Sequence, residues 1–218
     1  MTENLMLVLG IIFAYLSGSI PTSVWVGRIF YDIDIRTQGS GNAGATNTMR
    51  ILGWKAGVPV MIIDVLKGWF AVYLYIFFAP EVMNESSLVL YKIGLASAAV
   101  VGHVFPVFAG FRGGKGIATL LGVGIALYPT AVFFVLGIFT IILLVTGFVS
   151  LSSVVGAISF PVIVIFFFNP NSIPLIILAI CVGLFVPVTH RKNIVRLING
   201  TEPKFRIKKK SDPLKRQS

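Results

Sequence analysis

Seven long apolar segments, separated by short polar connections, constrain the fold of this chain more than any other feature. A helix that crosses the hydrocarbon core of a bilayer needs about 20 predominantly apolar residues. Hydrophobic residues make up 56% of the 218 residues, more than a water-soluble domain of this length could bury. We therefore predict an all-α, polytopic membrane protein with a bundle of about seven transmembrane helices. The predicted segments are Leu5–Ile29, Gly53–Ala79, Leu88–Phe108, Gly116–Tyr128, Thr130–Phe148, Ser153–Phe168 and Ile173–Thr189.

The number of spans depends on the fourth segment, which is short and is separated from the fifth by Pro129 alone. If Gly116–Phe148 formed one long or re-entrant element, the count would be five. Loop charge favours seven spans, because basic and non-basic connections then alternate between the two sides. The connections with Lys or Arg are 30–52, 109–115 and 190–218, and those without are 80–87, 129 and 169–172. By the positive-inside rule, this pattern predicts an outside N-terminus and a cytoplasmic C-terminus.

The first residues and the few cysteines and histidines exclude several kinds of segment and site. No basic region precedes the first apolar run, so we expect an uncleaved first span rather than a signal peptide. Cys181 is the single cysteine and lies within an apolar segment, which excludes an internal disulfide. His103 and His190 are the two histidines, too few for a histidine-based metal site. We therefore predict neither a metal ion nor a cofactor.

The net charge of +10 is concentrated near the C-terminal end, where ten of the 18 lysines and arginines lie between Arg191 and Arg216. A basic tail can bind nucleic acid, but no aromatic-interleaved groove or DNA-binding motif accompanies this one. We expect the tail to mark the cytoplasmic side and to contact anionic membrane lipids, at about 1 kcal/mol per basic residue. We divide the chain into a transmembrane domain at 1–203 and a basic cytoplasmic tail at 204–218.

Two glycine-rich loops with polar and basic residues indicate phosphate chemistry at the membrane surface. The first is Gly39–Arg50 and the second is Gly110–Gly116, and both fall on the predicted cytoplasmic face. Glycine lets backbone N–H groups approach an anion closely, while Ser, Thr and Asn add donors and Arg or Lys adds charge. The second loop is not a Walker A motif, because Ala109 stands at the position of its first glycine and Gly116 follows Lys115. Close helix packing alone would explain the glycines but not the polar residues beside them.

Asp64 and Lys67 are charged residues inside the second apolar segment. Their i, i+3 spacing puts them on one face of a helix, where they can form an ion pair. An isolated charge at mid-bilayer costs roughly 2.5–3.5 kcal/mol, so both should face the protein interior. Two interpretations remain open: a structural brace, or a source of positive potential beneath the loops supplied by Lys67. His103, at the end of the third segment, is expected to hydrogen-bond a neighbouring carbonyl.

Six short sequence blocks, spread over residues 5 to about 203, form a distinctive set. The blocks are Ser17–Pro21, Gly39–Asn47 with Arg50, Asp64–Gly68, Gly102-His103 with Pro106, Gly113–Thr119, and His190-Arg191 with Asn193, Arg196 and Gly200. Together they resemble the bacterial PlsY family of membrane-embedded acyl-phosphate:glycerol-3-phosphate acyltransferases. The resemblance implies a seven-helix enzyme of the bacterial cytoplasmic (inner) membrane whose partners are glycerol 3-phosphate, acyl phosphate and membrane lipids. We expect it to act as a monomer. It would make lysophosphatidic acid and inorganic phosphate in the first acylation of phospholipid synthesis.

The resemblance and the charge of both substrates together imply a set of site residues. Two anionic head groups can meet only where cations and N–H donors offset their repulsion. The expected catalytic residues are Ser40, Arg50, Lys115, His190 and Asn193. The expected substrate-binding residues are Gly41, Asn42, Thr46, Asn47, Lys67, Arg112, Gly113, Gly114 and Gly116. By the same resemblance, the turn at Gly113–Gly116 with Lys115 cradles a phosphate.

The chain lacks the His-x-x-x-x-Asp pair that many acyltransferases with thioester donors carry. Phe108 and Val195 stand five residues after the two histidines, where that pair would need Asp. An acyl phosphate already has a good leaving group, so we expect direct attack by the glycerol 1-hydroxyl, with a substrate phosphate oxygen taking the proton. An acylated Ser40 is the alternative mechanism, although no obvious base accompanies it.

Three other functions stay open at this point. A membrane transporter of phosphate or an organic phosphate anion would also need anion-binding loops, but its site belongs near the bilayer midplane. An acyl-coenzyme A donor would keep the enzyme class and change the substrate. A membrane scaffold would show no turnover and would tolerate the loss of Lys115.

Overall fold

A computed structural model describes residues 2–168 and 172–205, and all regular secondary structure within these ranges is helical. The α-helices are α1 (Glu3–Ser19), α2 (Thr22–Tyr31), α3 (Ala45–Leu52), α4 (Trp54–Tyr73), α5 (Tyr75–Phe78), α6 (Glu85–Val104), α7 (Ile117–Leu127), α8 (Pro129–Thr146), α9 (Val149–Ile163), α10 (Ile173–Thr189) and α11 (Arg191–Ile198). Two 3-10 turns at Ile35–Thr37 and Val107–Ala109 and a π-helical turn at Val164–Phe168 accompany them. The all-α prediction is therefore confirmed for the described residues. Residues 206–218, most of the predicted basic tail, lie outside them.

Four helical stretches are long and apolar enough to cross a membrane within the described part of the chain. They are Trp54–Phe78, Glu85–Ala109, Pro129–Thr146 and Val149–Phe168. Two bent pairs would raise the number to six: α1 with α2, bent by 41°, and α10 with α11, bent by 59°. α7, with 11 residues, is too short to be counted with them. The structure thus supports a polytopic membrane fold, and the count of seven stays a prediction.

The first predicted segment, Leu5–Ile29, is not one continuous helix. α1 ends at Ser19 and α2 begins at Thr22, with Ile20 and Pro21 in non-helical backbone between them. Pro21 explains the break, because proline has no N–H to donate and disfavours a helical conformation at the residue before it. At the break, the Ile20 carbonyl accepts the Thr22 N–H at 3.0 Å, and its second lone pair can accept a further donor.

Asp64 and Lys67 on α4 form the predicted ion pair, with 2.7 Å between Lys67 Nζ and Asp64 Oδ1. Lys67 also donates to the Ile20 carbonyl at 2.8 Å, and Thr22 Oγ1 donates to Asp64 Oδ1 at 3.2 Å. The side chains of the pair are only 4% and 2% exposed. The pair therefore fastens the break between α1 and α2 to the middle of α4, which supports its interpretation as a structural brace.

α4 and α7 pack with their backbones in close contact. A Cβ atom added at Gly68 of α4 would overlap the Thr119 carbonyl, and one added at Gly122 of α7 would overlap the Val65 carbonyl. Helices in lipid associate through small residues of this kind, because no hydrophobic driving force acts between them there. The contact holds α7 against α4 and places the N-terminal end of α7 beside the two glycine-rich loops.

The remaining long helices enclose an apolar interior and present apolar side chains outward. α9 packs between α8 and α10, and α7 contacts α8. The buried cluster at one end of these helices consists of Tyr128, Ala131, Phe160, Ile163, Val164 and Ala179. On the outer surface, Leu144, Val145 and Phe166 are 80%, 78% and 77% exposed. Large apolar side chains in such numbers on a surface are the expected arrangement for a protein that faces lipid.

Replacing Lys67 with Met should lower the melting temperature, because the change leaves the Asp64 carboxylate buried without its partner. We expect a loss of about 3–5 kcal/mol in the free energy of unfolding. Thermal unfolding in detergent, followed by tryptophan fluorescence, measures this loss. Lys55→Met, at the exposed start of α4, is the matched control and should change little. The double variant Asp64→Leu/Lys67→Met should recover part of the loss, and an unchanged melting temperature for Lys67→Met would contradict the brace.

Candidate active site

A cavity of about 430 Å³ lies where the two glycine-rich loops meet the C-terminal end of α10 and the start of α11. Polar side chains line this end of the cavity, and they include all five predicted catalytic residues. The polar residues that line the cavity, apart from Tyr128 at its other end, are Ser40, Asn42, Thr46, Asn47, Arg50, Asp64, His103, Lys115, Ser150, Ser153, His190, Asn193 and Glu202. Residues that are far apart in the sequence are therefore neighbours around one space.

The predicted substrate-binding residues are divided between two spaces. Asn42, Thr46, Asn47 and Gly116 line the large cavity. Lys67, Gly113 and Gly114 line an adjoining space of about 10 Å³, and Gly41 and Arg112 line neither of the two. The structure thus brings the predicted catalytic residues together, whereas part of the predicted substrate-binding set lies beside the cavity and not on its wall.

Asn47, at the start of α3, holds the first glycine-rich loop in shape. Its Oδ1 accepts a hydrogen bond from the Ser40 backbone N–H at 3.0 Å. Its Nδ2 donates to the carbonyls of Ile35 and Gln38, each at 3.0 Å. The side chain is 1% exposed, and the amide oxygen and both amide hydrogens are engaged within the loop. Asn47 therefore orients Ser40 toward the cavity.

Arg36 joins the two glycine-rich loops. Its guanidinium makes two hydrogen bonds to the Asp34 carboxylate, at 3.0 and 2.8 Å, and Nη1 donates to the Ala109 carbonyl at 2.7 Å. These hydrogen bonds from Arg36 hold the pKa of Asp34 well below its ordinary value. We did not predict this residue from the sequence. The spacing of Asp34 and Arg36, just before the first loop, was the available signal for their pairing. It does not indicate that Arg36 also bonds the Ala109 carbonyl, next to the second loop.

The backbone of the second loop is partly occupied by α6. The Gly113 N–H donates to the Val104 carbonyl at 3.1 Å, and the Gly114 N–H donates to the His103 carbonyl at 3.2 Å. A Cβ at Gly114 would overlap the His103 ring, so the loop lies directly against that side chain. The two N–H groups expected to cradle a phosphate are therefore already engaged by the end of α6.

The N-terminal ends of α3 and α7 supply the backbone donors at the cavity instead. Gly44, Ala45 and Thr46 at the start of α3 line it, and so do Gly116 and Ile117 at the start of α7. The first N–H groups of a helix have no partner within the helix, and the helix dipole puts partial positive charge at this end. Two such ends, together with Arg50 and Lys115, form an anion-binding region.

A hydrogen-bonded chain connects Lys115 to the C-terminal part of the protein. Lys115 Nζ donates to Asn193 Oδ1, and Asn193 Nδ2 donates to Glu202 Oε1 at 2.6 Å. Ser150 Oγ donates to the same oxygen at 2.6 Å, and Arg196 Nε donates to Glu202 Oε2 at 2.7 Å. Glu202 therefore fixes the Asn193 amide so that its oxygen faces Lys115. We missed Glu202 in the sequence, where an acidic residue within a basic segment was the only sign.

Lys115 has an altered acidity in this surrounding. Burial and the nearby cations Arg196 and Arg50 together lower the pKa of Lys115 to about 8, against the opposing effect of Glu202. Hydrogen bonds from Ser150, Asn193 and Arg196 outweigh the effect of burial on Glu202 and keep the pKa of that carboxyl below its ordinary value. The site thus holds a carboxylate that stays ionised and a lysine that loses its charge at moderately alkaline pH.

The two histidines have different surroundings. His190 is 3% exposed, and its Nδ1 donates to the Val186 carbonyl at 2.9 Å, which leaves Nε2 as the free ring nitrogen. His103 Nδ1 lies 3.8 Å from Asp64 Oδ1, beyond hydrogen-bonding distance. That approach joins α4 and α6, so a search for a His–carboxylate pair at fixed sequence spacing could not detect it. Among the described residues, no group of three or more His, Cys, Asp or Glu side chains is placed to hold a metal ion.

The sequence matches the family model described as glycerol-3-phosphate acyltransferase over residues 8–200. The chain belongs to the glycerol-3-phosphate acyltransferase family. It is similar to the glycerol-3-phosphate acyltransferase of Listeria monocytogenes serotype 4a, with 45% identity over 94% of this chain and 99% of the relative. The corresponding protein of Enterococcus faecalis is 39% identical over 97% of this chain and 98% of the relative.

Two solved structures of this acyltransferase family are also similar to the chain. One is the crystal structure of PlsY, an integral membrane glycerol 3-phosphate acyltransferase, in its glycerol 3-phosphate form. It is 36% identical, has a TM-score of 0.81, and the match covers 92% of this chain and 96% of that chain. The lysophosphatidic acid form is 35% identical, with a TM-score of 0.78 and the same coverage. The resemblance to the PlsY family that the sequence blocks indicated is confirmed.

The cavity of this acyltransferase family member changes character away from the loops. Side chains from α7, α8, α9 and α10 line the rest of it, including Leu121, Val135, Phe160 and Val182. Met61 of α4 and Leu136 of α8 also line the cavity, and each is 40% exposed. The cavity is therefore polar at one end and apolar at the other.

Replacing Glu202 with Ala should destabilise the protein, because Ser150, Asn193 and Arg196 would lose their shared acceptor. We expect a loss of about 3 kcal/mol in the free energy of unfolding. The melting temperature in detergent measures it, with Glu81→Ala in an exposed connection as the control. Glu202→Gln keeps one acceptor oxygen and should lose less. If Glu202→Ala melts at the same temperature as the control, the carboxylate does not hold this network together.

Proposed function

We propose that the protein transfers a fatty acyl group from acyl phosphate to the 1-hydroxyl of glycerol 3-phosphate. The products are lysophosphatidic acid and inorganic phosphate. One observation carries the proposal: Arg50, Lys115 and the N-termini of α3 and α7 converge at one end of a cavity whose other end is apolar. An acyl phosphate has this same division, with an anionic head on an apolar chain. Membership of the glycerol-3-phosphate acyltransferase family supports the acceptor and the reaction class.

The polar end of the cavity has the charge that this reaction needs. Glycerol 3-phosphate and the donor phosphate are both anionic, so their approach in a site shielded from water is opposed by strong repulsion. Arg50, Lys115 and the two helix ends offset that repulsion, because fixed dipoles and cations in such a site require little reorganisation. Asn47, Arg36 and Glu202 hold these groups in position, which supports a catalytic role for the set.

The proposed chemistry is a direct transfer. The 1-hydroxyl oxygen of glycerol 3-phosphate bonds to the acyl carbonyl carbon, and the bond from that carbon to the donor phosphate oxygen breaks. The hydroxyl proton moves to a substrate phosphate oxygen, and the phosphate leaves while Lys115 and the N-terminus of α7 stabilise its charge. Ser40, His190 and Asn193 position the acceptor and the carbonyl. In the structure, Asn47 holds the backbone of Ser40 in place, and we assign Ser40 a positioning role.

We also propose the arrangement in the membrane. The protein crosses the bacterial cytoplasmic (inner) membrane seven times as a monomer, with the N-terminus outside and the active site and basic tail facing the cytoplasm. The basic residues near the loops support this orientation, because Arg50, Lys115, Arg191 and Arg196 all lie at the same end of the helices. The close packing of α7 against α4 supports α7 as the short additional crossing.

The alternative functions have less support. A carrier for phosphate or an organic phosphate anion would place its polar residues near the bilayer midplane. Here they gather at the loop end of the cavity, where a reaction at the membrane surface would occur. An acyl-coenzyme A donor can be distinguished from acyl phosphate by the products that it gives. The identity of the donor is therefore the variable to test.

The deciding experiment supplies purified protein in detergent with glycerol 3-phosphate and one of two donors, palmitoyl phosphate or palmitoyl-coenzyme A. We expect lysophosphatidic acid and an equal amount of inorganic phosphate with palmitoyl phosphate only. If product forms with palmitoyl-coenzyme A alone, the proposed donor is wrong and the protein is still an acyltransferase. Product with neither donor, in protein whose melting curve shows that it is folded, would overturn the proposed function. Lys115→Ala serves as the inactive control.

The pH dependence of kcat/KM for glycerol 3-phosphate should report the charge of Lys115. Because the pKa of Lys115 is lowered to about 8, the lysine is charged below that pH and neutral above it. Phosphate binding should therefore weaken, and kcat/KM should fall, as the pH rises through about 8. Lys115→Arg keeps its charge and should move this fall to higher pH, while Lys55→Arg should not. If Lys115→Arg lacks turnover, calorimetry of glycerol 3-phosphate binding at the same pH values gives the same comparison. If the loss of activity or affinity at alkaline pH does not move in Lys115→Arg, Lys115 is not its cause.

A further inference from the structure

The far end of the apolar part of the cavity is lined by a few side chains that we call the floor. We call the apolar part the acyl channel, which runs between α7, α8, α9 and α10 from Lys115 and His190 at the polar end to Tyr128, Phe160 and Leu178 at the far end. Tyr128 lies between the end of α7 and the start of α8, so its side chain crosses the far end of the channel. Tyr128 and Phe160 are 8% and 6% exposed. The floor is thus built from three side chains of different helices.

The depth of the acyl channel matches one acyl chain of a membrane lipid. Twelve positions separate the polar end from the floor along two helices, from Gly116 to Tyr128 along α7 and from His190 to Leu178 along α10. At the rise of an α-helix, each distance is about 18 Å. One leaflet of the hydrocarbon core, half of about 30 Å, is about 15 Å deep. An acyl chain whose carbonyl sits at Lys115 would therefore reach the floor with its methyl end.

We propose that Tyr128 sets the longest acyl chain that the protein transfers efficiently. This inference rests on the proposed function, because it concerns the donor chain of the same reaction. Its basis is the continuity of the acyl channel with the polar end of the cavity, its depth, and the position of Tyr128 at its floor. Met61 of α4 and Leu136 of α8 line the cavity and are each 40% exposed, so we expect the chain to enter from the bilayer between them.

Tyr128 is fixed firmly enough to act as a limit. Its Oη donates to the Leu175 carbonyl at 2.6 Å, which ties it to the start of α10. Its ring meets Phe160 of α9 edge to face, with centroids 5.1 Å apart and an interplanar angle of 88°. Pro129, directly after it, begins α8 and restricts the backbone on that side. A residue held at three points cannot turn aside without breaking these contacts.

The limit should act by steric exclusion and not by hydrophobic attraction. The donor chain comes from lipid, which is as apolar as the acyl channel, so each added methylene gains little by entering. A chain that is too long must distort a packed floor, and overpacking of this kind lowers binding by about tenfold or more. A chain that is too short only leaves a void beside the floor. The profile of chain lengths should therefore fall steeply on the long side and gently on the short side.

The first test uses the wild-type protein and an equimolar mixture of dodecanoyl, tetradecanoyl, hexadecanoyl, octadecanoyl and eicosanoyl phosphates. Mass spectrometry of the lysophosphatidic acid formed gives the relative kcat/KM for each chain. We expect a drop of about tenfold or more between two adjacent long chains. An even distribution across all chains would overturn the limit. No product from any chain would contradict the proposed donor instead, and the matching mixture of coenzyme A thioesters would identify that case.

Variants at the floor locate the limit. Tyr128→Ala should extend the accepted length to longer chains, and Tyr128→Phe, which keeps the ring, should leave the limit at the wild-type length. Tyr31→Ala, at the exposed end of α2, is the control and should keep the wild-type profile. If Tyr128→Ala does not fold, Leu178→Ala opens the same floor from α10. An unchanged limit in either folded floor variant would overturn the role of Tyr128 and its neighbours.

Discussion

The ion pair of Asp64 and Lys67 connects the parts of the protein that must meet at the site. Lys67 donates to the Ile20 carbonyl at the break between α1 and α2, and Asp64 accepts a hydrogen bond from Thr22 on α2. His103 of α6 lies beside Asp64 and directly against Gly114 of the second glycine-rich loop. A charge in lipid is tolerated only while it is paired, so loss of either partner would release three helices and one loop together.

The cavity beside this ion pair combines an anion-binding end with an apolar end, and different helix surfaces form the two ends. The N-terminal ends of α3 and α7, with Arg50 and Lys115, supply positive charge at one end, and the sides of α7 to α10 supply an apolar lining at the other. Side chains such as Asn47, which hydrogen-bonds the loop backbone, hold the charged groups still. Preorganised groups of this kind lower a reaction barrier because they need not move as charge develops.

Local patterns in the sequence predict the helices well. They are poor predictors of the contacts that orient the site residues. Long apolar segments become helices because lipid offers no other partner for the backbone. The polar residues of the glycine-rich loops identify Ser40, Arg50 and Lys115, which do share a cavity. Glu202 could not be found this way, because its hydrogen bonds with Asn193, Arg196 and the distant Ser150 follow no known motif. Nor could the sequence show that the Gly113 and Gly114 N–H groups are already taken by α6 carbonyls.

The shortness of α7 has a consequence for the lipid around the protein. A helix of 11 residues is about 17 Å long, little more than half the thickness of the hydrocarbon core. Its ends are surrounded by Lys115 on one side and the Tyr128–Pro129 junction on the other, so neither can extend further as helix. Nearby lipids must thin, or neighbouring helices must cover the difference, at a cost of fractions of a kcal/mol per ångström. Bilayer thickness thereby becomes a physical variable acting on the helix that begins two residues after Lys115.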